Sequence, residues 1–136
     1  MTTVYSKKPL AAKLGIKPGS RISLVNYPDN YLALLGELPH GVQFTDELAR
    51  DLDFIHLFAA DHRMLTEAFP QAKQRIKPEG MLWVSWPKQT SALKGDLKEN
   101  DVREIGLANS LVDVKVAAID EDWSGLKFVY RLKDRP

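Results

Sequence analysis

The stretch Asp53–Lys88, DFIHLFAADHRMLTEAFPQAKQRIKPEGMLWVSWPK, reads as an apolar strand, a helical crossover, a Lys-Pro-Glu-Gly turn and a second apolar strand. Phe54–Ala60 and Met81–Trp86 are continuous apolar runs without inside/outside alternation. That pattern suits strands covered on both faces, and doubly covered strands belong to parallel sheets. Between them Met64, Leu65, Ala68, Phe69, Ala72 and Ile76 recur at helical spacing. Pro70 removes one backbone donor and crowds the preceding turn, which predicts a kink or break at Phe69. A strand, a crossover helix and a strand make a βαβ unit, so the fold class is α/β.

Working back towards the N-terminus, Pro9 at a first helical position and Gly15 after Leu14 predict a short helix over residues 9–14. Ile16-Lys17-Pro18-Gly19 then turns into a strand at Arg21–Asn26, the same device that Ile76–Gly80 uses before Met81. After Asn26-Tyr27-Pro28-Asp29 comes a helix from about Asn30 to Leu38, with Asp29 as its expected N-cap and Pro39 and Gly41 as its stop. Val42–Thr45 reads as a short strand. Only Asp46–Leu52 separates it from the next, less than the ~10–12 residues of a full parallel crossover, so one unit is abbreviated.

Working forward, Gln89–Gly95 reads as a polar loop and Asp101–Ser110 as a helix whose Asp101 and Glu104 have capping-box spacing. The pattern then changes to period two: Val112, Val114, Val116 and Ala118, then Leu126, Phe128, Tyr130 and Leu132, with Asp120–Gly125 between them. This predicts a terminal antiparallel hairpin over residues 111–133, at an edge of the sheet.

With 136 residues the chain fits a single domain, residues 1–136, large enough to bury roughly two-thirds of its unfolded surface. The absence of cysteine excludes a disulfide framework, a thiolate metal site and a cysteine nucleophile. Nineteen basic and 18 acidic residues, a net charge of +1, are intermixed along the chain, so no long-range field is expected to draw in nucleic acid or an anionic membrane. MTTVYSKKPL lacks an apolar core of signal-peptide length, and no run approaches the ~20 apolar residues of a membrane span, so the chain reads as soluble and cytoplasmic.

An α/β order with a strand-helix-IKPEG-strand unit and a closing antiparallel hairpin, over Asp53–Leu132, resembles the second half of the S-adenosylmethionine-dependent methyltransferase fold. The resemblance implies a single Rossmann-like, three-layer domain with about six strands. It also implies the sheet order Val42–Thr45, Arg21–Asn26, Phe54–Phe58, Met81–Trp86, then the hairpin with its last strand inserted. Lys13–Gly19, Trp83–Lys88, Leu111–Val116 and Trp123–Val129 resemble, more locally, a small uncharacterised bacterial family, a domain of unknown function that runs the length of the chain. The departure lies at the first strand-to-helix turn, where nucleotide folds place glycines so that the backbone can approach a ligand. Here Asn26-Tyr27-Pro28-Asp29-Asn30 adds bulk and removes an N–H.

Ligands of open α/β sheets bind outside the carboxyl ends of the strands, which makes Asn26, Tyr27, Asp29, Asp61, His62 and Lys88 the residues to inspect. Asn26, Tyr27, Asp29 and Asp46 are the candidate cofactor contacts, with S-adenosylmethionine as the cofactor the resemblance implies; Glu47 shares with Asp46 the ribose-binding position. Asp61 and Lys88 are the candidate acid/base groups, although Asp29 and Asp61 each precede a helix and suit N-caps. Trp83 and Trp86 lie on one covered strand and suit the core. Trp123, beside Asp120, Glu121 and Asp122, is a candidate partner anchor or a core cap. Neither His40 nor His56 has a second ligand at i, i+4, so no metal is expected. The leading expectation is a non-catalytic, methyltransferase-like module that binds a small molecule or a protein. A working methyltransferase with an atypical cofactor turn, and a homodimer formed through the hairpin, are the alternatives.

Overall fold

A computed structural model describes residues 9–136. Its element order is α1 (Leu10–Leu14), β1 (Arg21–Val25), α2 (Tyr31–Leu35), β2 (Gln43–Phe44), β3 (Leu52–Phe58), α3 (His62–Arg75), β4 (Ile76–Pro87), α4 (Glu99–Ala108), β5 (Leu111–Ala118) and β6 (Trp123–Tyr130). The six strands form one sheet in the order β2-β1-β3-β4-β6-β5, the order the sequence implied. β2, β1, β3 and β4 are parallel, and β6 and β5 close the sheet antiparallel.

Side chains of the central strands alternate between two cores. Ile55, Leu57, Leu82, Val84 and Trp86 pack with Leu65, Phe69 and Val102 of α3 and α4. Phe54, Phe58 and Trp83 pack with Leu10, Leu14, Tyr31 and Leu35 of α1 and α2. Both faces are therefore apolar, which is why the runs in β3 and β4 show no alternation. Trp83 and Trp86 serve opposite cores, and Trp83 Nε1 donates to the Leu14 carbonyl at 2.8 Å, fixing α1 against the sheet.

Several local expectations are corrected. The IKPEG segment lies inside β4 as a bulge: Leu52 pairs with Ile76 and Phe54 with Met81, leaving residues 77–80 beside Asp53. A Cβ on Gly80 would stand 2.8 Å from the Leu52 carbonyl oxygen, so the bulge needs glycine. α3 runs through Pro70 without a break. Pro70 and Thr66 are both exposed, so water can bond the Thr66 carbonyl that Pro70 leaves unpaired. α2 stops at Leu35 because Gly36 takes φ 73°, and its N-cap position is Asn30, not Asp29. α4 begins two residues earlier than expected, and its box acid is Asp101, which accepts the Lys98 N–H at 3.0 Å. Trp123 is the first residue of β6, since Asp120 Oδ1 accepts the Asp122 and Trp123 N–H groups and tightens the hairpin turn.

Candidate functional site

β2 sets the geometry of the site by being short. It pairs with β1 only at Arg21↔Gln43 and Ile22↔Phe44, whereas β3 pairs with β1 as far as Val25. Thr45 extends the contact by directing both its N–H, at 2.8 Å, and its hydroxyl, at 2.9 Å, to the Ile22 carbonyl. Beyond that point the outer side of β1 has no strand beside it among the described residues, and a cleft of about 470 Å³ opens there. Its apolar wall is Leu24, Tyr27, Leu32 and Phe44, and its polar wall is Ser23, Thr45, Asp46 and Glu47. Tyr27, Leu32 and Phe44 are each about half exposed, at 44, 51 and 50%. The cleft therefore faces solvent across an aromatic and aliphatic rim.

Of the candidate cofactor contacts, the cleft gathers Tyr27 and Asp46 and leaves Asn26 and Asp29 outside its lining. Asn26 adopts a left-handed conformation, φ 57°, at the tip of β1, and its amide reaches Met64 Sδ of α3 at 3.7 Å. Tyr27 does not fill the space; its ring leans on Tyr31, with centroids 6.1 Å apart, and forms a wall. The Asp46 carboxylate accepts the Leu48 N–H at 2.9 Å, an Asx turn that shapes the far rim.

Arg75, from the last turn of α3, supports that rim from below. Its guanidinium donates to Ser23 Oγ (2.8 Å), to the Asp46 carbonyl (2.8 Å) and to the Ala49 carbonyl (3.0 Å). Burial lowers its pKa, with Asp46 and Glu47 opposing that shift and Arg50 adding to it. Sequence reading picked Asp46 and Glu47 beyond β2 but missed Ser23, Leu24, Leu32, Phe44 and Thr45, which line the cleft because β2 stops after two residues.

Asp61 and Lys88 are not brought to the cleft. Asp61 caps α3, its Oδ1 accepting the Met64 N–H at 2.9 Å, while Asp96 Oδ1 accepts the His62 N–H at 2.7 Å. Two carboxylates thus occupy the helix start. The Lys88 N–H bonds the Asp122 carbonyl at 2.8 Å, tying the end of β4 to the hairpin turn. Trp123 packs edge-on against Phe58, with centroids 5.1 Å apart, as a partly buried cover of the α1–α2 core.

The other polar constellation is internal. Tyr31 Oη lies 2.6 Å from His56 Nδ1, and His56 Nε2 lies 2.7 Å from Ser85 Oγ. All three residues are fully buried, so Ser85 is closed to any substrate. Burial pushes the His56 imidazole down to about 3 and raises the Tyr31 phenol, so both are neutral at ordinary pH. Among the described residues no group of three or more His, Cys, Asp or Glu side chains is placed to hold a metal ion, and no helix is long and apolar enough to cross a membrane.

No family model matches the chain, and no curated protein matches it in sequence. Solved structures do match its fold. An S-adenosylmethionine-dependent methyltransferase from Aquifex aeolicus superposes with a TM-score of 0.62 at 14% identity, over 88% of this chain and 86% of that one. Magnesium protoporphyrin IX methyltransferase from Synechocystis, with bound S-adenosylhomocysteine, gives 0.59 at 12% identity, over 90% and 78%. A protein described as possibly exported, from Bordetella parapertussis, gives 0.64 at 12% identity, over 90% and 65%. The fold is that of the S-adenosylmethionine-dependent methyltransferases, on an α/β domain with a mostly parallel sheet and an antiparallel end. At these identities the likeness concerns the fold alone.

Proposed function

We propose that this chain is a non-catalytic, methyltransferase-like module that binds a cationic nucleoside, S-adenosylmethionine being the best fit, in the cleft between β1 and β2. The observation that carries the reading is the cleft lining: two carboxylates, Asp46 and Glu47, and two aromatic rings, Tyr27 and Phe44, with the Arg75 guanidinium engaged below the rim by Ser23 and the Asp46 and Ala49 carbonyls. Carboxylates accept hydrogen bonds from ribose hydroxyls and favour a sulfonium and an ammonium over a phosphate. Aromatic rims suit a planar base. A volume of about 470 Å³ lies within the range of small-molecule pockets. Pro28 also removes a backbone donor at the turn where phosphates are usually received, which argues against ATP and the dinucleotides. The non-catalytic reading is supported by the placement of Asp61 as a helix cap and of Lys88 outside the lining.

Thermal shift and calorimetry with S-adenosylmethionine, S-adenosylhomocysteine and ATP test the reading. Stabilisation by the sulfonium compound, weaker stabilisation by the neutral-sulfur product and none by ATP are expected. No response to S-adenosylmethionine at millimolar concentration, or an equal response to ATP, would end it. Release of S-adenosylhomocysteine in the presence of an acceptor would replace it with the enzyme reading.

Self-association through the hairpin is a second reading, favoured by Val114 and Val116, which are 55 and 53% exposed on the edge strand β5. Native mass over a range of concentrations tests it, and a monomer throughout removes it.

A further inference from the structure

Four lysines that are scattered in sequence gather on the α1 side of the hairpin. Lys115 and Lys127 are direct cross-strand partners on β5 and β6, so their side chains leave the same face of the sheet side by side. Directly opposed like charges destabilise a sheet. Lys13 of α1 donates to the Ala118 carbonyl at 2.9 Å, and Lys115 donates to the Lys13 carbonyl at 3.0 Å, so these amines also lace α1 to the hairpin. Lys127 Nζ stands over Gly15, 3.9 Å from where a Cβ would be, beside the turn that carries Lys17. Among the described residues none of the four amines has a carboxylate within 4.0 Å.

Burial, then the proximity of Lys115 and Lys17, lowers the pKa of Lys127. A cluster that opposes its own protonation and strains its own strand pairing is relieved by an anion seated among the amines. There is room beside Lys17: a cleft of about 440 Å³ lined by Gly15, Lys17, Gly19, Ser20 and Lys77 opens on that side of the cluster, with Lys115 and Lys127 outside its lining. Of the carboxylates that also line this cleft, Asp53 is paired with Lys77 at 2.8 Å, and Glu79 stands on the Lys77 side of it.

We propose that Lys17, Lys115 and Lys127 form a binding site for a multiply charged, phosphate-bearing anion, at the opposite end of the sheet from the β1–β2 cleft. Three like-charged amines, of which Lys115 and Lys17 both act on Lys127 and none has a carboxylate within 4.0 Å among the described residues, suit a polyphosphate or phosphate ester better than a monovalent anion. The site does not depend on the nucleoside reading of the other cleft, and the two can fail separately.

Melting temperatures with millimolar sodium tripolyphosphate and with a short oligothymidylate, at ionic strength held constant with sodium chloride, test the site. Tripolyphosphate is expected to stabilise the wild type. The Lys115→Gln/Lys127→Gln variant is expected to bind tripolyphosphate about tenfold more weakly or worse, read as the loss of the shift. Lys17→Gln, which leaves the sheet untouched, gives a second measure should the double variant fold poorly. A response to tripolyphosphate alone identifies a small phosphate ligand, and a stronger response to the oligonucleotide identifies a nucleic-acid backbone; either supports the site. Equal shifts in wild type and variants, or no shift with either anion, would overturn it.

Discussion

Tyr31 Oη and His56 Nδ1 lie 2.6 Å apart in a part of the core that solvent does not reach. The imidazole is pushed down to about 3 by burial, whereas an unfolded histidine titrates near 6.5. Between those values the unfolded chain binds a proton that the folded chain refuses, so stability falls as the pH drops below about 6.5. The slope is about 1.4 kcal/mol per pH unit. Urea unfolding at pH 7.5 and 4.5 should therefore show wild type losing about 2–3 kcal/mol more than His56→Gln over that interval. Equal losses would mean that the imidazole is not held neutral.

Gly106 of α4 faces Phe128 of β6 so closely that an added Cβ would overlap the aromatic ring. Gly106→Ala should destabilise by about 1–3 kcal/mol even though alanine is the better helix former. Gly106→Ala/Phe128→Leu should recover part of that loss relative to the sum of the single changes. Chemical denaturation of the four proteins measures the coupling.

The guanidinium of Arg75 holds the Asp46–Ala49 segment through two carbonyls and Ser23. Arg75→Gln should cost about 1–3 kcal/mol, the range for charge-assisted bonds, and should speed amide exchange in residues 46–49 before other regions. Unchanged exchange there would show that the rim is held by something else.

Phe44 is half exposed because its ring lines the cleft rather than the core. Phe44→Ala should leave stability within about 0.5 kcal/mol of wild type while lowering S-adenosylmethionine affinity about tenfold. Glu47→Gln should weaken the sulfonium ligand more than S-adenosylhomocysteine. Calorimetric titration of both ligands against each variant is the measurement, and identical affinities for all proteins would remove the cleft from consideration.

The parallel strands and their order were legible because β3 and β4 are covered on both faces and therefore carry unbroken apolar runs. The hairpin was legible because its period-two pattern differs from theirs. What stayed hidden depends on contacts between distant residues. The histidine in β3 acquires its partners only on folding, since Tyr31 and Ser85 are 25 and 29 residues away. The lysine cluster likewise joins Lys13 and Lys17 to Lys115 and Lys127, which an evenly mixed sequence conceals. Asp29 was misplaced as a cap because the helix starts at Tyr31, one residue beyond the expected Asn30, which moves the N-cap position to Asn30. The cleft sits beside a two-residue strand, too brief for composition to define its end.

Asn26 already holds the left-handed backbone that glycine would adopt at the tip of β1. Asn26→Gly would thus keep the backbone conformation at that tip, where the bulk of the following turn comes from Tyr27 and Pro28. For protein engineering, the place to alter is one turn, and the left-handed residue that a tighter loop would start from is already there.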